Sequence, residues 1–427
     1  MLQNRVFQNA KWIIGCKIVQ SLLQLVIGMI SARYLGPTNY GLLSYAASVT
    51  AFAVPVMQLG LRSTLVQEFV SRPEQEGRVL GTSLMMSAVS GVACMIGVSC
   101  FVLAANPSEQ ETILVCSLYS ISLVFQSLDL IQCWFQAKLL SKYASLVSLC
   151  TYLVVSAYKI WLLASGKSVL WFAVSYCVEY AVSGVLMLAA YRKNKGSGLS
   201  VSLELAGMLF SKSKHYILAS LMVMVFQNTD HVMLKFLAGD EANGFYTAAV
   251  TCTSVAGFVY TAILDSARPV ILESKGKSRE AFERNVARLY SVMIWLSLAQ
   301  GACFTVLAEP LVRLLYGGDY LPAVPVLRIN VWMLSLGYLG SVRNIWILAE
   351  EKHDLLWIIN LCGALANIGL NALMIPLWGA CGAAAASVLT QFVANVVMGF
   401  LIRSIRRNNL LMLRGLNPGC ILELLRK

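Results

Sequence analysis

The sequence contains few charged residues. They make up 13% of its 427 residues, whereas 58% are hydrophobic, and the mean hydropathy is +0.69. Ordinary soluble domains carry about a quarter charged residues. A chain with so little charge cannot place all of its apolar side chains in one soluble core, so the composition excludes an ordinary soluble protein.

The chain also lacks the motifs of several classes of site. Its twelve cysteines, from Cys16 to Cys420, form no CxxC pair and no cluster with the three histidines. We interpret them as small apolar residues, not as disulfides or zinc ligands. No Walker A loop, HExxH, GxSxG or Asp-x-Asp pair is present, so ATP hydrolysis and metal-dependent transfer have no visible site. No cofactor and no metal are therefore expected.

Apolar runs recur along nearly the whole chain. A membrane-spanning helix needs about 20 mainly apolar residues, because every backbone polar group in hydrocarbon must bond within its own segment. The first run extends from about Trp12 to Ile30 without a cleavage site, which is typical of a signal anchor and first span. The pattern predicts an all-α polytopic membrane protein. Its twelve predicted spans lie at about 10–33, 39–61, 79–104, 112–133, 143–165, 168–191, 213–237, 244–266, 288–308, 325–349, 355–375 and 381–403.

Basic residues are distributed unevenly between the two sides of these spans. Connections on one side carry most of the 33 lysines and arginines, whereas Arg33, Lys167, Lys235 and Arg313 fall on or near the other side. Positive residues accumulate in cytoplasmic loops, so both termini are predicted to be cytoplasmic. The net charge of +12 follows mostly from this bias, and we expect membrane lipid, not nucleic acid, as the partner of the basic loops.

The chain contains an internal similarity. The segment ARYLGPTNYGLLSYAA, Ala32 to Ala47, resembles LKFLAGDEANGFYTAAV, Leu234 to Val250, about half the chain away. Arg33 matches Lys235, and Gly41 matches Gly244. The similarity predicts two parallel six-helix bundles, 1–203 and 204–410, followed by a cytoplasmic tail at 411–427. Chance similarity between apolar helices is the alternative.

Four short segments follow one another in a characteristic order. They are RYLGPTNYG (Arg33 to Gly41), Trp134 to Lys138 after Asp129, Asp230 with the turn Gly244 to Tyr246, and LLYGGDY (Leu314 to Tyr320). Together, over about residues 5–405, they resemble the Wzx-type polysaccharide flippases of the multidrug/oligosaccharidyl-lipid/polysaccharide (MOP) exporter superfamily. The resemblance implies a MATE-like V of two bundles around a cavity that opens alternately to each side. It also implies an undecaprenyl-diphosphate-linked sugar substrate in a bacterial cytoplasmic membrane.

Polar residues within spans are the candidates for binding such a substrate. A charge near the bilayer centre costs about 2.5 to 3.5 kcal/mol, so it should face a partner or a watery cavity. Lys17 is followed at helical spacing by Ser21, Gln24 and Ser31. The candidate substrate-binding residues are Lys17, Gln24, Lys159, Gln227 and Arg328. Alternatively, the glutamines and serines hold neighbouring helices together while Lys17 snorkels to the surface.

Acidic residues within spans are candidates for coupling transport to a proton or sodium ion. They are Asp230, Glu179 and Asp129. Glu179 and Lys159 lie on consecutive predicted helices, and a structural ion pair between them is the alternative. His231 beside Asp230 is either a proton relay or an ordinary packing residue.

A third group of residues is predicted to form gates or turns: Arg33, Gly41, Lys235, Gly244, Asp265 and Arg343. The segment from Arg268 to Arg288 interleaves glutamates with basic residues and predicts a cytoplasmic surface helix. Other polysaccharide assembly proteins are possible partners there.

Two other functions remain open. A membrane-embedded polysaccharide polymerase or acyltransferase would need a base or nucleophile in a loop or cavity, and the predicted external connections are short. A cation-coupled drug exporter of the same superfamily would share the fold but favour an acidic, apolar pocket, against which Lys17 and Lys159 argue mildly.

Overall fold

Every regular element in the computed structural model of the chain is a helix, within the residues it describes. The structure describes residues 2–352, 354–417 and 419. It also describes their side chains, except those of residues 2–14, 255, 256 and 258. Cys420 and the tail residues Arg426 and Lys427 lie outside the described residues. The all-α class is confirmed, and each cysteine in the described ranges is free.

Eight long helices make up most of the fold. They are α1 (Leu2–Met57), α3 (Glu76–Ala105), α7 (Ser141–Ala164), α8 (Val169–Lys193), α9 (Leu203–Lys277), α10 (Arg279–Leu315), α11 (Ala323–Ala349) and α12 (Asp354–Phe392). The shorter ones are α2 (Arg62–Ser71), α4 (Gln110–Ser120), α5 (Ser122–Gln126), α6 (Ile131–Ala137), α13 (Met398–Leu401) and α14 (Arg406–Gly415). Short 3₁₀ segments occur at Pro73–Gln75, Ser127–Leu130 and Gly318–Tyr320, and a π segment at Val393–Val397.

Three of the long helices bend sharply at a glycine. Gly36 in α1 has a φ of 73°, Gly239 in α9 a φ of 87°, and Gly379 in α12 a φ of 54°. Side chains with a Cβ rarely adopt this left-handed region, so glycine is the residue that permits each bend. Gly36 and Gly239 stand five residues before the matched glycines Gly41 and Gly244, so the two similar segments bend at equivalent positions.

Nine helical stretches in the described part of the chain are long and apolar enough to span a membrane. The three that contain the bends run over Gly15–Ser71, Leu203–Ser254 and Asp354–Leu401, with 57, 52 and 48 residues. Because one span needs about 20 residues, each of these is long enough for two. The chain is a multi-pass membrane protein, and the count of twelve spans stays a prediction.

The chain packs as two compact units. Unit 1 comprises residues 1–35 and 42–228, and unit 2 comprises residues 36–41 and 229–427. The short segment Gly36–Gly41 thus packs with unit 2, although both flanking segments belong to unit 1. The predicted boundary near residue 203 separates the two similar halves of the sequence, and it stays a prediction. The compact units are divided at a different place, because unit 1 extends to Asn228.

In unit 1, the fourth predicted span is interrupted. Helices α4, α5 and α6 are separated by Ile121 and by the 3₁₀ segment Ser127–Leu130, which carries Asp129. Beyond it, Trp134 packs edge-on against Tyr191, with ring centroids 4.7 Å apart, in a buried hydrophobic cluster of the unit. A 3₁₀ stretch within a helix commonly marks a functional or strained position.

In unit 2, the last span contains the π segment Val393–Val397, whose irregular hydrogen bonding leaves carbonyl groups available. Arg343 donates from Nη1 to the carbonyl of Ala394 at 2.6 Å, and Asn409 donates to that of Val396 at 2.7 Å. Arg343, predicted as a gate residue, is buried and holds this segment within unit 2.

The segment from Arg268 to Arg288 is helical except at Ser278, but it does not form one separate helix. Helix α9 continues to Lys277, and α10 begins at Arg279, where the Ser278 hydroxyl accepts a hydrogen bond from the Ala281 amide at 3.1 Å. Ser278 is therefore the N-cap of α10 and separates it from α9. Arg407 of α14 then donates to both carboxylate oxygens of Glu283, at 2.6 and 2.9 Å, which raises the pKa of Arg407.

The segment after α8 lies along the start of α3 within unit 1. The amide of Ser200 donates to the Gly77 carbonyl at 3.4 Å, and the amide of Ser202 donates to the Thr82 hydroxyl at 3.0 Å. A Cβ on Gly77 would overlap the Gly198 carbonyl, and one on Gly81 would overlap that of Ser200. Two glycines one turn apart therefore allow the linker backbone to approach the helix closely.

Replacing Gly81 by alanine should detach this linker. The new Cβ needs the space that the Ser200 carbonyl occupies, and such overpacking costs about 1 to 3 kcal/mol, or about 5- to 150-fold in local opening. The measurement is the rate of tryptic cleavage after Arg192, Lys193 and Lys195, which should rise by that factor. Gly97→Ala on the same helix, whose Cβ would meet nothing within 4 Å, is the control. Equal rates for both variants would show that the close approach is unimportant.

Candidate functional site

A buried carboxylate with several hydrogen-bond donors lies within unit 2. Asp230 on α9 is 4% exposed. Its Oδ1 accepts hydrogen bonds from the amides of Asn367 and Asn371, at 2.9 and 2.6 Å. Its Oδ2 accepts from the hydroxyls of Tyr246 and Ser387, at 2.6 and 2.5 Å. Neutral donors thus satisfy both oxygens.

No lysine or arginine in the described part of the chain lies within ion-pair distance of Asp230. An unpaired charge is expensive to bury in a membrane protein, and such residues are functional by default. The cluster also offers other oxygen atoms, among them Asn371 Oδ1, which is buried and accepts no hydrogen bond.

The elements of unit 2 bring these side chains together from four stretches of sequence. Asp230 and Tyr246 lie on α9, before and after its bend at Gly239. Asn367 and Asn371 lie four residues apart on one face of α12, and Ser387 follows the bend at Gly379. The two bends therefore let each helix contribute residues from both of its arms.

His231 extends this network toward the first of the similar segments. Its Nδ1 lies 2.8 Å from Asn243 Oδ1, and its ring packs edge-on against Tyr246, 5.1 Å away. Asn243 in turn donates from Nδ2 to the Gly41 carbonyl at 2.8 Å. A continuous series of contacts thus joins the Asp230 cluster to the turn at 36–41.

The two matched glycines contact each other's turns within unit 2. A Cβ on Gly41 would overlap the Asp240 carbonyl, and a Cβ on Gly244 would overlap the Pro37 carbonyl. Asp240 and Pro37 each lie four residues before the other glycine, so the contact is reciprocal. Lys235 donates to Asp240 Oδ2 at 2.5 Å and is itself buried.

Aromatic residues of a third predicted motif lie beside these turns. Tyr320 packs against Tyr40, Phe245 and Tyr316, at ring-centroid distances of 6.5, 6.2 and 5.2 Å. The segments around Gly41, Gly244 and Tyr320 are separate motifs in the sequence, and the structure brings them together within unit 2.

A second polar site lies in unit 1. A cavity of about 140 Å³ is lined by the carboxylates of Asp129 and Glu179 and by neutral polar side chains, among them Gln20, Gln132 and Thr151. Neither carboxylate accepts a hydrogen bond from a described residue. Two of the three acidic residues predicted for ion coupling thus share one cavity, and the third, Asp230, lies in the other unit.

The ion pair between Lys159 and Glu179, the alternative to separate roles for these two residues, is not formed. The Lys159 ammonium lies 4.6 Å from the ring centroid of Tyr176, a cation–π geometry, and no carboxylate of a described residue is within ion-pair distance of it. Lys159 therefore remains near the cavity without neutralising Glu179 by direct contact.

Several predicted residues are exposed on helices and make no contact that assigns a role. Lys17, Gln24 and Arg33 on α1 are exposed, as are Gln227 and Asp265 on α9. Arg328 on α11 is also exposed and donates to the Thr305 carbonyl at 3.2 Å. Their predicted roles in binding and gating stay predictions.

Metal-binding clusters are absent from the described ranges, in that no three or more His, Cys, Asp or Glu side chains are placed to hold an ion together. Any cation at either site would therefore depend on neutral oxygen ligands as well as carboxylates.

Sequence reasoning missed most partners of Asp230 and most lining residues of the unit 1 cavity. Asn367 and Asn371 did carry a signal, because two asparagines four residues apart in an apolar span form a polar face. Ser387, Thr151 and Gln20 carried none, since single hydroxyl or amide residues are frequent in spans.

Comparisons with known proteins agree with this fold. The family model described as "Polysaccharide biosynthesis protein" matches residues 6–275. No curated protein sequence matches the chain.

Solved structures of three membrane proteins are similar across nearly the whole chain. One is a lipid II flippase, MurJ, in an inward closed conformation (15% identity, TM-score 0.75, 97% of this chain and 92% of that chain). Another is an inward-facing multidrug resistance MATE family transporter of the MOP superfamily (14%, 0.70, 92% and 95%). A third is a MOP superfamily transporter from Pyrococcus furiosus (14%, 0.57, 95% and 95%). At these identities the similarity establishes a MATE- and MurJ-like fold.

Proposed function

This chain belongs to the polysaccharide biosynthesis protein family, and from that membership we propose that it flips a lipid-linked oligosaccharide from the cytoplasmic to the outer leaflet of a bacterial membrane. The substrate proposed is an undecaprenyl-diphosphate-linked sugar repeat unit. Both termini are proposed to be cytoplasmic, in keeping with the distribution of basic residues.

One combination of observations carries the proposal. The family model concerns polysaccharide biosynthesis, whereas the fold over 97% of the chain is that of a lipid flippase. A transporter in polysaccharide biosynthesis has to move sugar units that are attached to a membrane lipid. Other assembly proteins are possible partners in that process.

Transport is proposed to be coupled to a cation at Asp230. The carboxylate is buried and has no lysine or arginine partner among the described residues. Four neighbouring side chains each add one oxygen atom to its own two: Asn367, Asn371, Ser387 and Tyr246. Oxygen ligands of this kind suit a sodium ion or a proton. Binding there would change the hydrogen bonds that reach His231 and the turn at 36–41.

Substrate binding is proposed to involve Lys17, Gln24, Lys159, Gln227 and Arg328. Lys17 is exposed on α1 and forms no ion pair with a described carboxylate, so its ammonium is available for a diphosphate oxygen. Glu179 and Asp129 line a separate cavity and are proposed to take part in ion coupling.

Two other functions have less support. The likeness to MATE family transporters favours a cation-coupled drug exporter as the second candidate. A membrane-embedded polymerase or acyltransferase has no support from a placed nucleophile and base, and the similar proteins are transporters and flippases.

The test is flipping of a fluorescent undecaprenyl-diphosphate sugar in proteoliposomes, measured by loss of access to a membrane-impermeant quencher. We expect the parent protein to flip the lipid. Lys17→Ala should slow it by about tenfold or more, because a charge-assisted hydrogen bond is worth about 1.5 to 3 kcal/mol.

Lys193→Ala is the matched control, since Lys193 is an exposed lysine at the end of α8. It should flip at the parent rate at equal amounts of folded protein. If the parent flips no lipid tested but exports an organic cation, the drug exporter replaces the flippase as the function.

A further inference from the structure

Helix α14 buries asparagines and exposes leucines. Asn408 and Asn409 on its inner face are fully buried, whereas Leu410, Leu413 and Leu416 are 51%, 46% and 52% exposed. Leu416 directly follows the helix. A surface helix in water places its polar side chains outward and its apolar ones inward. The outer face of α14 therefore suits a less polar environment than water.

The inner face of α14 is held firmly within unit 2. The hydroxyl of Tyr290 on α10 donates to Asn408 Oδ1 at 3.1 Å and accepts from Asn408 Nδ2 at 2.9 Å. Asn409 donates to the Val396 carbonyl at 2.7 Å. A Cβ on Gly415 would overlap the Cβ of Tyr290, so α14 and α10 pack closely. These contacts fix the rotation of α14 about its own axis, and its leucines remain outward.

The start of α14 lies close to the end of the last candidate span. That span ends at Leu401, and α14 begins at Arg406. Five residues of extended chain cover at most about 18 Å, and this connection is turned, since the Ile405 amide donates to the Ile402 carbonyl at 2.9 Å. Helix α14 therefore stays near the bilayer surface at which the span ends.

The start of α14 also carries positive charge. Arg403 and Arg406 are exposed, and neither forms an ion pair with a described residue. The first turn of α14 contains no acidic residue, and a helix N-terminus itself has partial positive charge. Basic residues beside a span are attracted to anionic lipid head groups. The charge of this surface is thus complementary to that of an anionic membrane.

A second copy of the chain fits this face less well. A ten-residue helix is about 15 Å long, so its outer face is far smaller than the roughly 800 Å² per partner of a standard protein interface. The exposed arginines would also repel each other across a symmetric contact. A bilayer requires no minimum interface, because the spans already hold the chain in it.

We propose that α14 lies on the bilayer surface, with Leu410, Leu413 and Leu416 inserted among the lipids and with Arg403 and Arg406 bound to anionic head groups. Such a helix lies in the plane of the interface, with its apolar side chains at the boundary between head groups and acyl chains. This contact involves only residues of unit 2, and it requires no transported substrate.

The experiment measures tryptic cleavage after Arg414 in the full chain, reconstituted in vesicles of phosphatidylcholine with or without phosphatidylglycerol. Because Gly415 packs against Tyr290, trypsin reaches this bond only when α14 opens. The rate is divided by that of cleavage after Lys195, an exposed residue on the same predicted side of the membrane. This ratio corrects for the local amount of trypsin and for the orientation of the protein.

Phosphatidylglycerol should lower the ratio by about 30-fold, since each of the two arginines near an anionic surface contributes about fivefold. Arg406→Gln should therefore weaken the effect of phosphatidylglycerol by about fivefold. Leu413→Ser should raise cleavage by about fivefold in both kinds of vesicle, because the exposed half of this leucine is no longer inserted. The matched controls are Arg268→Gln and Leu314→Ser, exposed residues of unit 2 outside α14, and neither should change the ratio.

The side chains of Arg406 and Leu413 are exposed, so both variants should keep the unfolding midpoint of the parent in detergent. Equal ratios for the parent in the two kinds of vesicle would overturn the proposal, as would a lipid effect that both variants leave unchanged. Protection that rises with the protein-to-lipid ratio, and not with lipid charge, would place a second copy on this face instead. None of these measurements involves flipping, so the proposed transport function is tested separately.

Discussion

Alanine at position 41 is expected to lower the unfolding midpoint by about 5 °C and to abolish flipping. The added Cβ would overlap the Asp240 carbonyl, which is backbone and cannot move aside as a side chain does. Overpacking of this kind costs about 1 to 3 kcal/mol, and each kcal/mol shifts the midpoint by about 2 to 4 °C in a domain of this size. The measurements are thermal unfolding in detergent and flipping in proteoliposomes.

Gly28→Ala is the control for this prediction. Gly28 lies in the same helix, and a Cβ there would meet nothing within 4 Å, so alanine should be neutral or slightly stabilising in the helix. If Gly41→Ala behaves like this control in both measurements, the turn contact has no role in the transport cycle.

The reciprocal geometry makes a stronger form of the test available. Gly244→Ala should have an effect similar to that of Gly41→Ala, because its Cβ would overlap the Pro37 carbonyl. Once one alanine has separated the turns, the second has less contact left to disrupt. The double variant should therefore be less destabilised than the sum of the single variants, whereas full additivity would indicate two unrelated sites.

Removing Asp230 should have the second large effect, and it should depend on the replacement. Asp230→Ala leaves the amides of Asn367 and Asn371 without this acceptor and removes the acceptor of Tyr246. Each stranded buried donor costs about 1 to 3 kcal/mol. This variant should therefore unfold well below the parent in a thermal denaturation experiment.

Asp230→Asn should separate stability from transport. The amide oxygen still accepts from Asn367 and Asn371, and the hydroxyls of Tyr246 and Ser387 can rotate to accept from the new NH₂ group. The variant should remain folded but lose the dependence of flipping on an imposed cation gradient, because the negative charge is gone.

Glu241→Gln is the matched control for the loss of charge. Glu241 is an exposed carboxylate of unit 2 in the same helix, α9, so its variant should keep both stability and gradient dependence. Gradient-dependent flipping by Asp230→Asn would remove Asp230 from the coupling role, and the unit 1 cavity would then be the site to test.

Much of the fold follows from the sequence because spans are long apolar runs. The predicted helices agree with α3, α7, α8 and α11 to within a few residues. Gly36 lies in the predicted gap between the first two spans, where the structure has a bend instead of a loop. The charges near Arg268 suggested a separate surface helix. In the structure, α9 instead extends to Lys277 and α10 begins at Arg279, so only Ser278 separates them.

The site could be predicted only in part, and the reason is physical. A lipid-facing span is apolar around most of its circumference, so the rotation of each helix is weakly encoded in its pattern. Asp230 could be identified without knowledge of its partners, because a charge within a span is costly. Its contact with Ser387 depends on the bend at Gly379 and on the packing of α12 against α9, which no local pattern specifies.

The reciprocal turn contact also bears on how the two similar segments differ. In a symmetric homodimer, one substitution appears twice, so both sides of an interface change together. Here the two segments are on one chain and can change independently. Where the second segment has Asp240 paired with Lys235, the first has Pro37, and where the second has Asn243 bonded to the Gly41 carbonyl, the first has Tyr40.

The two turns therefore share their backbone geometry and their glycines, while polar side chains of the second segment supply these bonds. A new residue at Gly41 would have to be matched by a change in the opposite turn, and the reverse holds for Gly244. The two similar turns thus have one joint constraint, the close approach of two backbones, and each turn has different polar side chains around it.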